Sequence, residues 1–322
     1  MKIILFCFLA VLIVAGFLVS EDNDPIEEGT IDLYFCPQDN CEQQFIAFLD
    51  SAQESIHCAL FEVELESLKE KLLEKAKTME VKIVTDDDYY KQFPKSFVKA
   101  DKSGLMHNKF CIIDGEKVST GSMNPTFNDA YKNNNNLLLI QSQYLAENYE
   151  DEFQEMWNGT FKKGTAVKDP EITLSGIKIE NYFCPDDHCI QQVVEELKTA
   201  EESIYFMAFS FTSEEIADVL LIKNLDEIPV KGVMETRQIS EYSQFERLKN
   251  NGVEVIKDLN PHNMHHKVFI IDGQTVITGS FNPTNGGDKR NDENMLIIHD
   301  EEIAQRFIRE FQMLFNVFPE GR

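Results

Sequence analysis

Met264-His265-His266-Lys267-Val268-Phe269-Ile270-Ile271-Asp272, followed by Gly279-Ser280-Phe281-Asn282, is the stretch on which the chain turns. An earlier copy reads Met106-His107-Asn108-Lys109-Phe110-Cys111-Ile112-Ile113-Asp114, then Gly121-Ser122-Met123-Asn124. Both spell His-x-Lys-x4-Asp-x6-Gly-Ser-x-Asn. Each also runs on into an apolar strand led by asparagine, Asn136-Leu137-Leu138-Leu139-Ile140 and Asn294-Met295-Leu296-Ile297-Ile298. One His-x-Lys pair arises by chance in many proteins, whereas two full copies with the same trailing spacing do not.

The repeat extends outward from the motif. Tyr34-Phe35-Cys36-Pro37 returns as Tyr182-Phe183-Cys184-Pro185, and Ala52, Glu54, Ser55 and Ile56 return as Ala200, Glu202, Ser203 and Ile204. The offset is 148 from Cys36 to Cys184 and 158 from His107 to His265, so the second copy gains residues in between, around 238–263. That insertion reads as a helix over 240–250 and a strand over 252–257, with no clear match in the first half. A period this long is domain duplication, because solenoid repeats are far shorter. Short apolar strands alternate with amphipathic helices in both copies, which predicts an α/β protein. The expected architecture is two duplicated α/β/α sandwich halves, 31–163 and 177–322, with mainly parallel sheets. Residues 164–176, with Gly164 and Pro170, read as the joint. A pseudo-twofold axis would bring the two motifs together at the interface.

Met1-Lys2, an unbroken apolar run from Ile3 to Val19 and the acidic exit Glu21-Asp22-Asn23-Asp24 form an export segment. Residues 1–20 are thus a signal peptide or a membrane anchor, and 21–30 an acidic linker. The protein is expected to be secreted or membrane-anchored, on the extracytoplasmic side. Thirty Lys and Arg against 56 Asp and Glu give a net charge of −26. That surface repels nucleic acid at long range and weighs against a nuclease, although a basic cleft can sit in an acidic body. Cys36/Cys41 and Cys184/Cys189 repeat as Cys-Pro-x3-Cys. In an exported chain this predicts a local disulfide in each half, while a shared zinc site would lack the usual Cys-x2-Cys spacing. Cys58 and Cys111 fall in core strands and read as small apolar side chains.

Side chains alternate along a strand, so His107 and Lys109 share one face, as do His265 and Lys267. Two imidazoles and two ammonium groups around one volume suit a phosphodiester. One neutral His attacks phosphorus while the other, protonated, serves the leaving oxygen. The lysines, with Asn124, Asn282, Ser122 and Ser280, can hold the non-bridging oxygens. Asp114 and Asp272 are counted with the catalytic set, though their place along the strand suits orienting a His or closing a turn. Glu293 aligns with Asn135, a carboxylate against an amide. It either tunes a nearby His or is one of two solvent-facing side chains. Of the remaining histidines, His57 reads as a satisfied core residue, His262 as part of a surface turn and His266 as facing away from Lys267. His188 and His299 read as exposed.

On the doubled motif, over essentially everything after residue 30, the chain resembles the phospholipase D superfamily. The resemblance implies a covalent phosphohistidine, resolved by water or an alcohol, with no metal and no cofactor. It assigns nucleophile and general acid to His107 and His265, in an order the residues themselves leave open, and phosphate binding to Lys109, Lys267, Asn124 and Asn282. The short halves look most like the compact branch, which includes EDTA-resistant endonucleases and mitochondrial cardiolipin hydrolase. Those are homodimers of one-motif chains, whereas this chain carries both motifs and is expected to act as a monomer. The leading expectation is a phosphodiesterase acting on a phospholipid head group, with a membrane as its partner. The alternatives are a metal-independent nuclease for single strands and a catalytically silent binding module.

Overall fold

The computed structural model describes residues 24–101 and 104–316. Residues 1–20, read above as an export segment, lie outside them. Among the described residues no helix is long and apolar enough to cross a membrane.

The N-terminal strand β1 (Ile26–Glu27) precedes β2 (Thr30–Cys36), α1 (Cys41–Asp50), β3 (Ser55–Leu60), α2 (Glu66–Lys75), β4 (Glu80–Asp86) and β5 (Val98–Asp101). There follow β6 (Leu105–Met106), β7 (Lys109–Ile113), β8 (Lys117–Gly121), α3 (Phe127–Tyr131), β9 (Asn135–Gln141) and α4 (Gln143–Trp157). The second copy begins with β10 (Glu171–Leu174), β11 (Ile177–Cys184), α5 (Cys189–Lys198), β12 (Ile204–Ala208), α6 (Glu214–Leu225) and β13 (Val230–Met234). It ends with α7 (Phe245–Asn250), β14 (Glu254–Lys257), β15 (Lys267–Ile271), β16 (Thr275–Gly279), α8 (Asn285–Lys289), β17 (Asn291–His299) and α9 (Glu301–Phe315).

The first half forms one sheet in the order β2-β9-β8-β7-β3-β4-β5, and the second repeats it as β11-β17-β16-β15-β12-β13-β14. The expectation of mainly parallel sheets is corrected here. Only β3-β4-β5 and β12-β13-β14 run parallel within these two orders, and the β2-β9-β8-β7-β3 and β11-β17-β16-β15-β12 steps are antiparallel. The Asp-Gly turn inside each motif accounts for the β7-β8 and β15-β16 steps. Asp114 and Gly115 both have positive φ, as do Asp272 and Gly273, a backbone that reverses the chain into a tight hairpin.

Helices α1 and α2 cover one face of the first sheet, and α5, α6 and α7 one face of the second. Helices α4 and α9 lie in a shared core between the two sheets. Tyr149 and Phe153 of α4 and Phe307 and Phe311 of α9 are buried there, and Phe35 of the first half meets Phe307 edge-on at 5.1 Å. Each such ring contributes about 1.5–3 kcal/mol by leaving water, so the interface holds the halves in a fixed relation.

Three further departures concern smaller elements. Ile26–Glu27, inside the stretch read as a linker, pairs in parallel with β10 of the second sheet, and β10 itself lies inside the stretch read as the joint. The inserted strand β14 does have a counterpart, β5; its short Val98-Lys99-Ala100-Asp101 carries too little apolar pattern to read. Cys58 and Cys111, directly opposite each other on β3 and β7, form a disulfide rather than packing as free thiols. The Cys36–Cys41 and Cys184–Cys189 disulfides are present as expected.

Candidate active site

His107 and His265 stand just ahead of β7 and β15, and each is held by backbone of the opposite half. His107 N donates to Asp292 O at 2.9 Å, and His265 N to Asn134 O at 2.8 Å. The lysine opening each strand turns back on its own histidine: Lys109 Nζ donates to His107 O and Lys267 Nζ to His265 O, both at 2.7 Å. The asparagines leading the long strands complete the crossing. Asn294 Nδ2 donates to Asn108 Oδ1 at 2.8 Å, and Asn136 Nδ2 lies 3.2 Å from His266 Nδ1. Both histidines open onto one cavity of 370 Å³ at this seam, walled by Phe61 and Phe209 and rimmed by Glu62 and Glu64.

The imidazoles are fixed by groups from across the seam. His107 Nδ1 lies 2.7 Å from Glu293 Oε2, and His265 Nδ1 lies 2.8 Å from Asn135 Oδ1. Glu293 is fully buried, which removes the reading of it as solvent-facing, and Asn135 is equally buried. Each oxygen accepts a hydrogen bond from Nδ1–H, which leaves Nε2 as the reactive nitrogen. Phe61 stands 5.1 Å from the His107 ring, and Phe209 stands 4.6 Å from the His265 ring.

Burial drives the His107 imidazole down to about 4; the Glu293 carboxylate opposes that and Lys109 reinforces it. Burial likewise brings the Lys109 ammonium down to about 8, against the pull of Glu293 and Asp129. His265 lies well below the usual imidazole range through burial, then Lys267 and Lys109, and Lys267 is lowered by burial and then Lys109. Burial and the neighbouring lysines thus favour neutral histidines. A bound phosphodiester anion reverses that balance, since opposite charge favours the protonated form.

Two groups of sequence-derived candidates stand elsewhere. Asp114 and Asp272 do not reach the cavity and are removed from the catalytic set. Asp114 accepts the backbone N–H groups of Gln53, Glu54 and Ser55; Asp272 accepts those of Glu201, Glu202 and Ser203. Burial alone would raise the Asp114 carboxyl, but these three donors hold it low. Both aspartates sit at the far ends of β7 and β15, where they tie the hairpin turn to the neighbouring strand. Ser122 and Ser280 are also withdrawn as phosphate ligands. Both are fully buried behind the cavity. Ser122 Oγ accepts Asn136 N at 3.0 Å, while Ser280 Oγ accepts Asn294 N at 2.9 Å and donates to Glu293 Oε2 at 2.7 Å.

Asn124 lines the cavity; its Nδ2 donates to Asp129 at 2.9 Å, and its Oδ1 finds no partner among the described residues. Asn282 Oδ1 is unpartnered in the same sense. His57 is satisfied as expected, between Glu150 at 2.8 Å and Glu80 at 3.0 Å. His299 is half-buried rather than exposed, and bonds Glu180 and Thr275.

Sequence reasoning missed Phe61 and Phe209, although both recur at the 148 offset, and it missed Asp129. The signal for Asp129 was the Thr126-x-x-Asp129 capping pattern, in which Thr126 Oγ1 accepts Asp129 N at 3.1 Å.

A family model described as "Cardiolipin synthase, PLD-like domain" matches residues 45–157 and 193–315, one match in each half. A protein of Rickettsia typhi named phospholipase D is 32% identical over 157 residues, covering 47% of this chain and 77% of its own. A Xenopus laevis protein named mitochondrial cardiolipin hydrolase is 32% identical over 149 residues, covering 42% of this chain and 71% of its own. Among solved structures, the phosphatidylserine synthase of Haemophilus influenzae superposes with a TM-score of 0.63 over 88% of this chain and 86% of that one. At 12% identity, that likeness concerns the fold. With both half-domains matched and the histidines of both motifs, His107 and His265, facing one cavity, the chain belongs to the phospholipase D-like family of phosphodiesterases.

Proposed function

We propose that the chain hydrolyses the head-group phosphodiester of a phospholipid through a phosphohistidine, as an exported enzyme that works as a single chain. The carrying observation is that His107 and His265 open onto one cavity, each with its Nδ1 held from behind. His107 Nε2, backed by the Glu293 carboxylate, attacks phosphorus. The bond to the leaving oxygen breaks, and that oxygen takes the Nε2 proton of His265. Water then attacks the phosphohistidine and gives its proton back to His265. The P–N bond breaks with its electron pair returning to His107. Lys109 and Lys267 meet the charge on the non-bridging oxygens.

The rim supports a lipid over a nucleic acid. Glu62 and Glu64 line the mouth on the first-half side, where Ser210 and Thr212 stand at the equivalent second-half positions. A nucleic-acid strand would bring successive phosphates past these carboxylates, whereas a head group presents one phosphodiester. Burial, then the charge of Asp129, raises Glu62 above the usual carboxylate range. The two relatives named phospholipase D and cardiolipin hydrolase act on lipids by name, in line with this reading. Export rests on the apolar run of residues 3–19, and the three disulfides suit an oxidising compartment.

The test takes protein lacking residues 1–20, in EDTA, on phospholipid vesicles and on labelled single-stranded DNA in parallel, with His265→Ala as control. Head-group release by the wild type alone is expected, from a species that elutes as a monomer in size-exclusion chromatography. DNA cleavage without head-group release overturns the lipid reading. Silence on both substrates overturns the assignment of either.

A further inference from the structure

The two histidines differ in what backs them: a carboxylate, Glu293, for His107 and an amide, Asn135, for His265. Another carboxylate lies close to the amide-backed one. Asp129 Oδ2 is 3.5 Å from His265 Nδ1, buried, and held by Asn124 N at 2.8 Å and Asn124 Nδ2 at 2.9 Å. Its Oδ1 accepts Asn133 Nδ2 at 2.5 Å. Its backbone carbonyl accepts Asn135 Nδ2 at 3.1 Å, which turns Asn135 Oδ1 towards the imidazole.

The second half shows the reverse pattern. Asp129 is the residue whose N–H is accepted by the helix-capping Thr126, and the residue so capped by Thr284 is Gly287. A Cβ at Gly287 would lie 2.5 Å from Asn282 O, so that position has no room for a carboxylate. Instead Glu293 takes the load from the strand, with Asn291 Nδ2 at 3.1 Å from its Oε1, where Asn133 serves Asp129 in the first half. Each half therefore sends one buried carboxylate to the histidine of the other, one from a strand and one from a short helix.

We infer that Asp129 is the positioning residue of His265: it orients Asn135 and supplies the negative charge that stabilises the imidazolium when His265 holds the leaving-group proton. The inference rests on the reading of this cavity as the active site. The charged and titratable groups around His265 are Lys267 two residues on, Lys109 and His107 from the first half, its neighbour His266, Glu62 and Glu64 on the cavity wall, and Asp129. The lysines and the other histidines disfavour its protonation when charged. Among the described residues, Asp129 is the carboxylate that pairs with this ring, at 3.5 Å.

The experiment follows the imidazole titration of His265 by NMR with sulfate bound, beside kcat against pH. Asp129→Asn keeps the side-chain size and removes the charge. It is expected to lower the His265 midpoint by about one pH unit and kcat by about tenfold, with the alkaline limb of kcat moving down. The double variant Asp129→Gly/Asn135→Glu copies the second-half pattern and should restore both readouts, as a merely structural role would not allow. An unmoved His265 midpoint in Asp129→Asn overturns the inference, and so does a shifted midpoint that the double variant fails to restore. If Asp129→Asn does not fold, a wild-type midpoint in the double variant supports the inference and a lowered one overturns it. If no phosphodiester is turned over, the proposed function fails while the titration still decides the role of Asp129.

Discussion

His107 Nδ1 and Glu293 Oε2 lie 2.7 Å apart although 186 positions separate them in the chain. This contact spans the seam between the halves, so the backed histidine exists only once both halves have folded and docked. Its counterpart between His265 and Asn135 is as short but carries no charge on the acceptor. The duplicated fold therefore presents two geometrically similar and electrically different imidazoles, and in the proposed mechanism that difference separates a nucleophile from an acid.

Glu293→Gln tests this asymmetry. The amide retains an acceptor for Nδ1 and loses the charge, so kcat at pH 7 should fall about 100-fold with folding largely kept. Because Glu293 raises the His107 pKa against burial, its loss lowers that pKa further. The nucleophile must be neutral, so the acid limb of kcat/KM, expected near 4 in the wild type, should move to lower pH. Enzyme quenched in alkaline denaturant should carry its phosphatidyl group on the peptide holding His107. Label on the His265 peptide would reverse the roles.

Asp292 gives a stability signature. Burial first, then Asp101, raises its carboxyl to about 7 from 3.8. Between those values the folded protein holds a proton that the unfolded chain has released, so stability falls as pH rises. The contribution is complete below about pH 3.8 and lost above about 7, on the order of 4 kcal/mol at most. Asp292→Asn should therefore be more stable than wild type at pH 9 and closer to it at pH 5, as read by urea unfolding. Equal pH slopes for the two proteins would refute the buried-acid account.

The Cys58–Cys111 disulfide closes a separation of 53 residues and ties β3 to the strand that opens with Lys109. Non-reducing peptide mapping should recover this pair, and Cys58→Ala/Cys111→Ala should cost about 2–4 kcal/mol. Free thiols at both positions in protein secreted from an oxidising host would contradict the pairing.

Much of the fold was legible because the chain repeats itself. Helices α1, α2 and α4 and strands β2, β3 and β7 follow the alternation of short apolar strands with amphipathic helices that the sequence shows. Strand direction was not legible, since a buried run such as Phe110-Cys111-Ile112-Ile113 is apolar in a parallel or an antiparallel sheet alike. Cys58 and Cys111 looked like ordinary core residues for a similar reason: only register puts them face to face.

The sequence by itself determined the duplication, the two His-x-Lys pairs and the chemistry they suit, because period and residue type are properties of a single strand. Only the tertiary structure decided which acceptor backs which histidine, since His107–Glu293, His265–Asn135 and His265–Asp129 all cross from one half to the other. It also moved Asp114, Asp272, Ser122 and Ser280 out of the cavity, because their hydrogen-bond capacity is taken up by neighbouring backbone and side chains before a substrate could use it. Motif spacing records which residues recur. Burial and partners, which arise when α4 and α9 bring the two sheets together, select those that face the reaction.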